Sequence, residues 1–318
     1  MPELVVRIFY ASDVHGSEVC FRKFVNAAKA YKVDALVLGG DITGKVLVPV
    51  VKKAGVYRAE LFGKVWEAKD EAELEKVLSA IRASGFYAAV MDKGEYEKVA
   101  SNPQLVSELF DKAMVETMRS WVSLAEERLK GSGVEVYIMP GNDDRFVIDE
   151  VLAESSLVVN PDGRVVEIKG GLKLVSLGAS NPTPWHTPRE LPEEEIYRRL
   201  SKLVEEAGDS SSTLLNVHVP PYGTVLDLAP LLDSELKVVR RSGEVEMKHV
   251  GSTAVRRVIE EFQPLASLHG HVHESKGIAK IGRTLCFNPG SDYSSGALRG
   301  VLLTVEPGKV KSYMFTYG

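Results

Sequence analysis

Five short segments constrain this chain more than anything else in it: Asp13-Val14-His15, Gly40-Asp41, Gly141-Asn142-Asp143-Asp144, Val217-His218 and Gly270-His271-Val272-His273. Most follow an apolar, β-branched run, the place where a strand of an α/β fold delivers side chains to the carboxyl edge of its sheet. Asp, Asn and His placed there repeatedly, beside Gly or Pro, imply that remote stretches of chain converge on one polar site. The residue types are those of a two-metal centre. Carboxylate oxygens and neutral imidazoles suit hard and borderline divalent cations, and a pair of cations needs a bridging carboxylate.

The spacing is compatible with that chemistry. Asp13 and His15, two residues apart, can face one cation if the strand end turns at Val14-His15-Gly16. His271 and His273 share that spacing, Asn142 offers a neutral carbonyl oxygen, and His218 adds an imidazole. Asp41 follows a Gly-Gly pair, where the backbone is small enough for two cations to approach. Two dications bring about +4, and Asp13, Asp41 and a bridging hydroxide about −3, which leaves a weakly positive site suited to a phosphate oxygen.

The rest of the chain reads as a layered α/β domain. Its 318 residues suffice for one large core. Strands are expected at 5–10, 35–38, 134–139, 172–177, 213–217, 265–268 and 284–287, with helices at 18–31, 114–129, 193–207 and 251–262. A terminal hairpin is expected from 300–305 and 309–317 around Pro307-Gly308. Residues 46–129 separate the second and third ligand segments by far more than a βα unit needs. They read as a mostly helical insertion or lid, with a hairpin around Ala54-Gly55, then helices over 71–84 and 103–129.

The net charge of −5 and the lack of a Lys/Arg-aromatic groove argue against nucleic acid. Two separate cysteines, Cys20 and Cys286, build no disulfide framework, and no apolar run reaches membrane-spanning length. A cytoplasmic protein is expected, with no membrane partner.

The ordered set Asp-x-His, Gly-Asp, Gly-Asn-x-Asp, His and Gly-His-x-His resembles the calcineurin-like metallophosphoesterase superfamily, from Tyr10 to about Ser291 outside the insertion. Asn216–Thr224, His269–Ser275 and Asn288–Gly300 further resemble a prokaryotic, often archaeal, branch of predicted phosphoesterases. The resemblance implies one domain over 1–318, a β-sandwich flanked by helices in four α/β/β/α layers. It implies that Asp13, His15 and His273 hold one metal, that Asn142, His218 and His271 hold the other, and that Asp41 bridges. Mn²⁺ or Fe is favoured, with Zn²⁺, Ni²⁺ or Co²⁺ compatible. The implied reaction is in-line attack of a bridging hydroxide on the phosphorus of a small phosphoester.

One departure bears on the substrate. Most of the family has a histidine after the Asn, in contact with phosphate, and this chain has Asp143. A carboxylate beside two dications is expected to be ionised and a poor acid, which favours a diester over a dianionic monoester. A phosphodiesterase is therefore expected. A phosphomonoesterase or nucleotide pyrophosphohydrolase, and a non-catalytic metal-binding scaffold like the retromer subunit of this fold, are the alternatives. Asn142, Asp143 and Asp144 are the catalytic candidates, Asp144 either orienting its neighbours or capping a helix that starts near Phe146. Arg145 could meet a phosphate or form a surface salt bridge. His269 reads as a satisfied core histidine, and His186 and His249 as loop histidines, with His249 the one that could supply a missing acid. Asn288-Pro289-Gly290-Ser291 reads as a tight turn near the site mouth.

Overall fold

The computed structural model describes residues 5–318; residues 1–4, part of the expected 1–318 domain, lie outside the described residues. The stretch Val6–Ala11 shows how the layers arise. Ile8 and Tyr10 point to one side and Phe9 and Ala11 to the other, and all four are buried. Parallel strands covered on both faces need such uninterrupted apolar runs. Ile8 and Tyr10 enter a core shared with Leu174, Leu214, Ala266 and Phe287 of a second sheet. Phe9 and Ala11 enter a separate core made with helices.

The first sheet runs β20 (Lys309–Tyr317), β19 (Arg299–Glu306), β1 (Val6–Ala11), β2 (Ala35–Gly39), β7 (Glu135–Met139) and β8 (Val158–Val159). The second runs β17 (Gly277–Ile281), β18 (Thr284–Asn288), β16 (Ala266–Leu268), β11 (Thr213–Val217), β10 (Leu172–Leu177) and β9 (Val165–Ile168). Strands β1, β2, β7 and β8 are parallel, as are β10, β11, β16 and β18. The terminal hairpin β19–β20 is antiparallel, as its turn implied.

Helices α1 (Glu18–Tyr31), α4 (Pro103–Leu129) and α5 (Val147–Ala153) cover the outer face of the first sheet. Helices α6 (Glu193–Ala207) and α7 (Thr253–Phe262) cover the second, through Ile196, Leu200, Val255 and Ile259. The four-layer α/β/β/α architecture is the expected one. Ser17 and Ser252 cap α1 and α7 by accepting from Cys20 N and Val255 N. Two small ribbons, β12 (Leu228–Pro230) with β15 (Met247–His249) and β13 (Arg240–Arg241) with β14 (Glu244–Val245), decorate the second half. Among the described residues no helix is long and apolar enough to cross a membrane.

The 46–129 segment has the expected hairpin around Ala54-Gly55 and helices near 71–84 and 103–129, and adds strands that the sequence reading did not contain. It contains a four-stranded sheet, β5 (Lys64–Ala68), β4 (Val56–Leu61), β3 (Leu47–Lys53) and β6 (Tyr87–Asp92), with α2 (Glu71–Ala83) and α3 (Lys93–Ala100). A single strand over 56–66 is prevented by Phe62-Gly63, where both residues adopt positive φ, 52° and 72°. Strand β6 pairs parallel to β3 through a crossover that includes α2, a pairing local periodicity does not reveal. This body has its own small core of Val48, Val50, Ala59, Leu61, Ala68, Val77 and Ile81. Helix α4 belongs elsewhere, because Met114, Met118, Trp121 and Val122 pack into the core beneath the first sheet.

Trp121 is 3% exposed and stacks on Phe21 with ring centroids 4.3 Å apart. Trp121→Ala should therefore lower the unfolding free energy by about 3–5 kcal/mol in a urea titration. Trp66→Ala, at a 38% exposed position on β5, should cost about 1 kcal/mol or less. Equal effects would show that α4 is not part of the main core.

Candidate metal centre

The loops leaving β1 and β2 run zipped together. Asp13 N donates to Gly40 O at 3.0 Å, His15 N to Asp41 O at 3.0 Å, and Gly16 N to Ile42 O at 2.7 Å. Asp13, His15, Asp41 and His271 all have left-handed backbone, with φ of 56°, 39°, 49° and 66°. Non-glycine residues rarely adopt it, and such strain persists only where the surroundings over-determine the conformation. Asp144 supplies part of that bracing. Its carboxylate accepts from Ile42 N (3.0 Å), Thr43 N (2.8 Å), Thr43 Oγ1 (2.5 Å) and Gly141 N (2.7 Å). Asn288 Nδ2 donates to Gly270 O and Val272 O at 3.2 and 3.0 Å, and Ser291 Oγ donates to Asp13 O at 2.6 Å. The Asn288–Ser291 turn thus fastens two ligand loops. Glycine is required where backbone meets ligand: a Cβ on Gly141 would lie 2.2 Å from Asp41 Oδ1, and one on Gly270 2.3 Å from Asp13 Oδ2.

All seven expected ligands come together at the carboxyl ends of β1, β2, β7, β11 and β16. Asp13, His15 and His273 form one group with ligand atoms within 4.8 Å of one another, and Asp41, His218 and His271 form another. In the first, His15 Nε2 is 3.0 Å from His273 Nε2, and His273 Nε2 is 3.3 Å from Asp13 Oδ1. In the second, Asn142 Oδ1 is 2.7 Å from His271 Nδ1. Asp41 lies between them, with Oδ2 3.7 Å from His15 Nε2 and Oδ1 3.3 Å from His218 Nε2.

The electrostatics are those of ligands. Burial opposes ionisation of Asp13 and Asp41, but His273 and His218 around the first, and His218 and His15 around the second, hold both carboxyls below their ordinary value. Burial pushes His15 down to about 3 and His271 to about 4, so both imidazoles are neutral. Burial also disfavours charge on His218, yet Asp41 and Asp13 lift it to about 10, and Asp13 raises His273. The carboxylates thus favour protons on these two histidines where cations would otherwise balance the charge, so binding a divalent ion there should release protons. His218 Nδ1 lies 2.9 Å from Gly39 O, as a donor would, and its buried Nε2 faces Asp41 Oδ1 at 3.3 Å and Asp13 Oδ1 at 3.9 Å. A ring nitrogen fixed by the donor on its other side and aimed at two carboxylates fits a metal ligand.

The remaining candidates separate. Asp144 is fully buried and its carboxylate is occupied by four donors, so it is a positioning residue and not a group able to touch substrate. Nor does it cap α5, whose N-cap, Phe146, makes no side-chain bond. Asp143 does reach the site: it groups with His15 and Asp41, its N–H donates to Asp41 Oδ1 at 3.0 Å, and its carboxylate pairs with Lys45. Burial and Asp41 push its carboxyl up while Lys45 pulls it down. Arg145 is committed to Asp111 and Ser107. His269 is a core histidine, bonded to Ser267 Oγ, Val217 O and Val219 O. His249 pairs with buried Asp227 at 2.8 Å, and His186 is exposed.

Two residues escaped the sequence reading. Lys45 stands four positions after Asp41, past Ile42-Thr43-Gly44, with no feature of its own to single it out. Tyr293 lies two past the Asn288–Ser291 turn, and its ring packs 4.7 Å from His15 and 5.9 Å from His273. An aromatic beside a turn at the site mouth was its only signal.

No family model matches the chain. Over 159 residues it is 38% identical to the uncharacterized protein MJ1162 of Methanocaldococcus jannaschii, a match spanning 49% of this chain and 64% of that relative's length. One solved crystal structure is similar with a TM-score of 0.59 at 17% identity, over 99% of each chain. The crystal structure of TT1561 of Thermus thermophilus is similar with a TM-score of 0.52 at 14% identity, over 95% of this chain and 99% of that one. Identities that low speak to a shared fold.

Divalent cations should stabilise the folded chain by mass action. Added Mn²⁺ is expected to raise the melting temperature and a chelator to reverse the rise. Asp41→Ala should abolish most of the shift. A melting temperature indifferent to Mn²⁺, Fe²⁺ and Zn²⁺ would contradict a metal centre.

Proposed function

We propose that this chain, which has the fold of the calcineurin-like metallophosphoesterase superfamily, is a metal-dependent phosphoester hydrolase acting on small phosphodiesters. The observation that carries this reading is Asp41, whose two oxygens face two separate donor groups at 3.3 and 3.7 Å. Asp13, His15 and His273 would hold one cation, Asn142, His218 and His271 the other, and Asp41 both. Such a pair supplies Lewis acidity toward phosphoryl oxygens and makes a water acidic near neutral pH.

The chain's own groups account for the rest. Burial keeps His15 and His271 neutral, so they arrive with free lone pairs. The Asn142 amide, fixed by Nδ2 donating to Thr187 Oγ1 at 2.9 Å, presents its oxygen to the second group. Lys45 and bound cations would favour the ionised form of Asp143, which would leave it no proton for a departing oxygen. A diester with a good leaving group needs none, which supports diesters as the substrate class. The ligand set favours Mn²⁺ or Fe and accommodates Zn²⁺, Ni²⁺ or Co²⁺. Seven convergent groups support catalysis over a metal-binding scaffold. Two unpaired buried cysteines, Cys20 and Cys286, support a reducing, cytoplasmic setting.

Purified protein supplied with Mn²⁺ should hydrolyse bis(p-nitrophenyl) phosphate, and Asp41→Asn should lower the rate by roughly two orders of magnitude or more. Two bound metals with no turnover on any phosphoester would favour the scaffold instead.

Asp143→His should move the ratio of diester to monoester hydrolysis toward p-nitrophenyl phosphate. An unchanged ratio would remove the argument for diesters while leaving hydrolysis intact.

A further inference from the structure

We infer that Lys45 is the side chain that binds the substrate's phosphoryl oxygens; the inference rests on the phosphoester reading above for its ligand. The Lys45 ammonium pairs with Asp143, whose N–H donates to Asp41 Oδ1 at 3.0 Å and which groups with His15 and Asp41. One side chain therefore separates this cation from the carboxylate between the two donor groups. Its side chain is 47% exposed and that of Asp143 19%, so the pair faces the opening of the site and not the core. An ammonium has three donors, and a single carboxylate leaves capacity for an incoming anion.

The nearby guanidinium groups are already committed. Arg145 binds Asp111 and Ser107, and Arg189, 5% exposed, binds Asp149, Asp144 O and Arg145 O. Lys45, paired with Asp143 at the site, keeps donors to offer when an anion approaches.

Its backbone is also held firmly. Gly44 N donates to Tyr87 Oη at 2.8 Å, and the Tyr87 ring meets Phe110 of α4 edge-on at 5.4 Å. Gly44 packs against Gly85, and Gly85 against His15: a Cβ on Gly44 would lie 2.2 Å from Gly85 O, and one on Gly85 2.3 Å from His15 O. The chain from which Lys45 springs is wedged between a ligand loop and the β3–β6 body. A bare surface ion pair would have no use for that fixation.

The test compares metal-loaded wild type with Lys45→Met and Lys45→Arg. Inorganic phosphate is titrated calorimetrically, and bound metal is counted by elemental analysis. Lys45→Met should weaken phosphate binding about tenfold or more at unchanged metal content. Lys45→Arg should recover most of it, and the KM for bis(p-nitrophenyl) phosphate should rise in Lys45→Met by more than kcat falls. Wild-type phosphate affinity in Lys45→Met would reduce the contact to an ordinary surface pair and overturn the inference. So would a wild type that binds no phosphate, or metal loss in both variants, which would make the role structural. A wild type that binds phosphate through Lys45 yet hydrolyses no phosphoester would instead sink the proposed function alone.

Discussion

Two buried carboxylates set the terms for the whole molecule. Asp13 is 1% and Asp41 3% exposed, and ionised groups so placed are costly unless balanced. The carboxylates draw His218 and His273 toward protonation, while burial keeps His15 and His271 neutral. That division leaves lone pairs and negative charge facing a common space. Cations in the two groups would relieve both, taking over from His273 in one and His218 in the other as the partners of the carboxylates. The fold around the site can be understood as whatever is needed to keep those groups from moving apart.

The holding is distributed over elements far apart in sequence. Four ligands sit in left-handed backbone, which would relax without restraint. Asp144 ties the loop after β2 to the loop after β7, and Asn288 and Ser291 tie the loops after β16 and β1. Close packing at Gly141 and Gly270 removes the space into which Asp41 and Asp13 could turn. Each restraint joins two of the five strand ends, so the sandwich must be assembled before the site exists.

Side chains with a chemical signature were legible in the sequence, and those that act through tertiary contact were not. Asp13, His15, Asp41, Asn142, His218, His271 and His273 announced themselves by residue type at the ends of apolar runs, and β10, β11, α1 and α6 by clean periodicity. Asp144 was visible as a candidate, but only its four hydrogen bonds distinguish a brace from a catalytic group. Lys45 and Tyr293 are of types found anywhere on a protein surface. Nothing local marks them until Asp143 and His15 are placed beside them. Strand β6 was missed for the same reason, since its partner β3 lies across an intervening helix and two other strands.

The same contacts bear on the segment that reads as a lid. A lid must part from the site on a hinge and return. Here the meeting is backbone on backbone, with Gly85 against His15 O and Gly44 against Gly85 O. Ser17 Oγ adds a bond to Ala83 O at 3.4 Å, and Tyr87 anchors Gly44 to a helix of the main core. Swinging this body away would unseat the residue next to a ligand and the root of Lys45 together. These contacts argue for a fixed buttress, one that braces His15 from outside the sandwich.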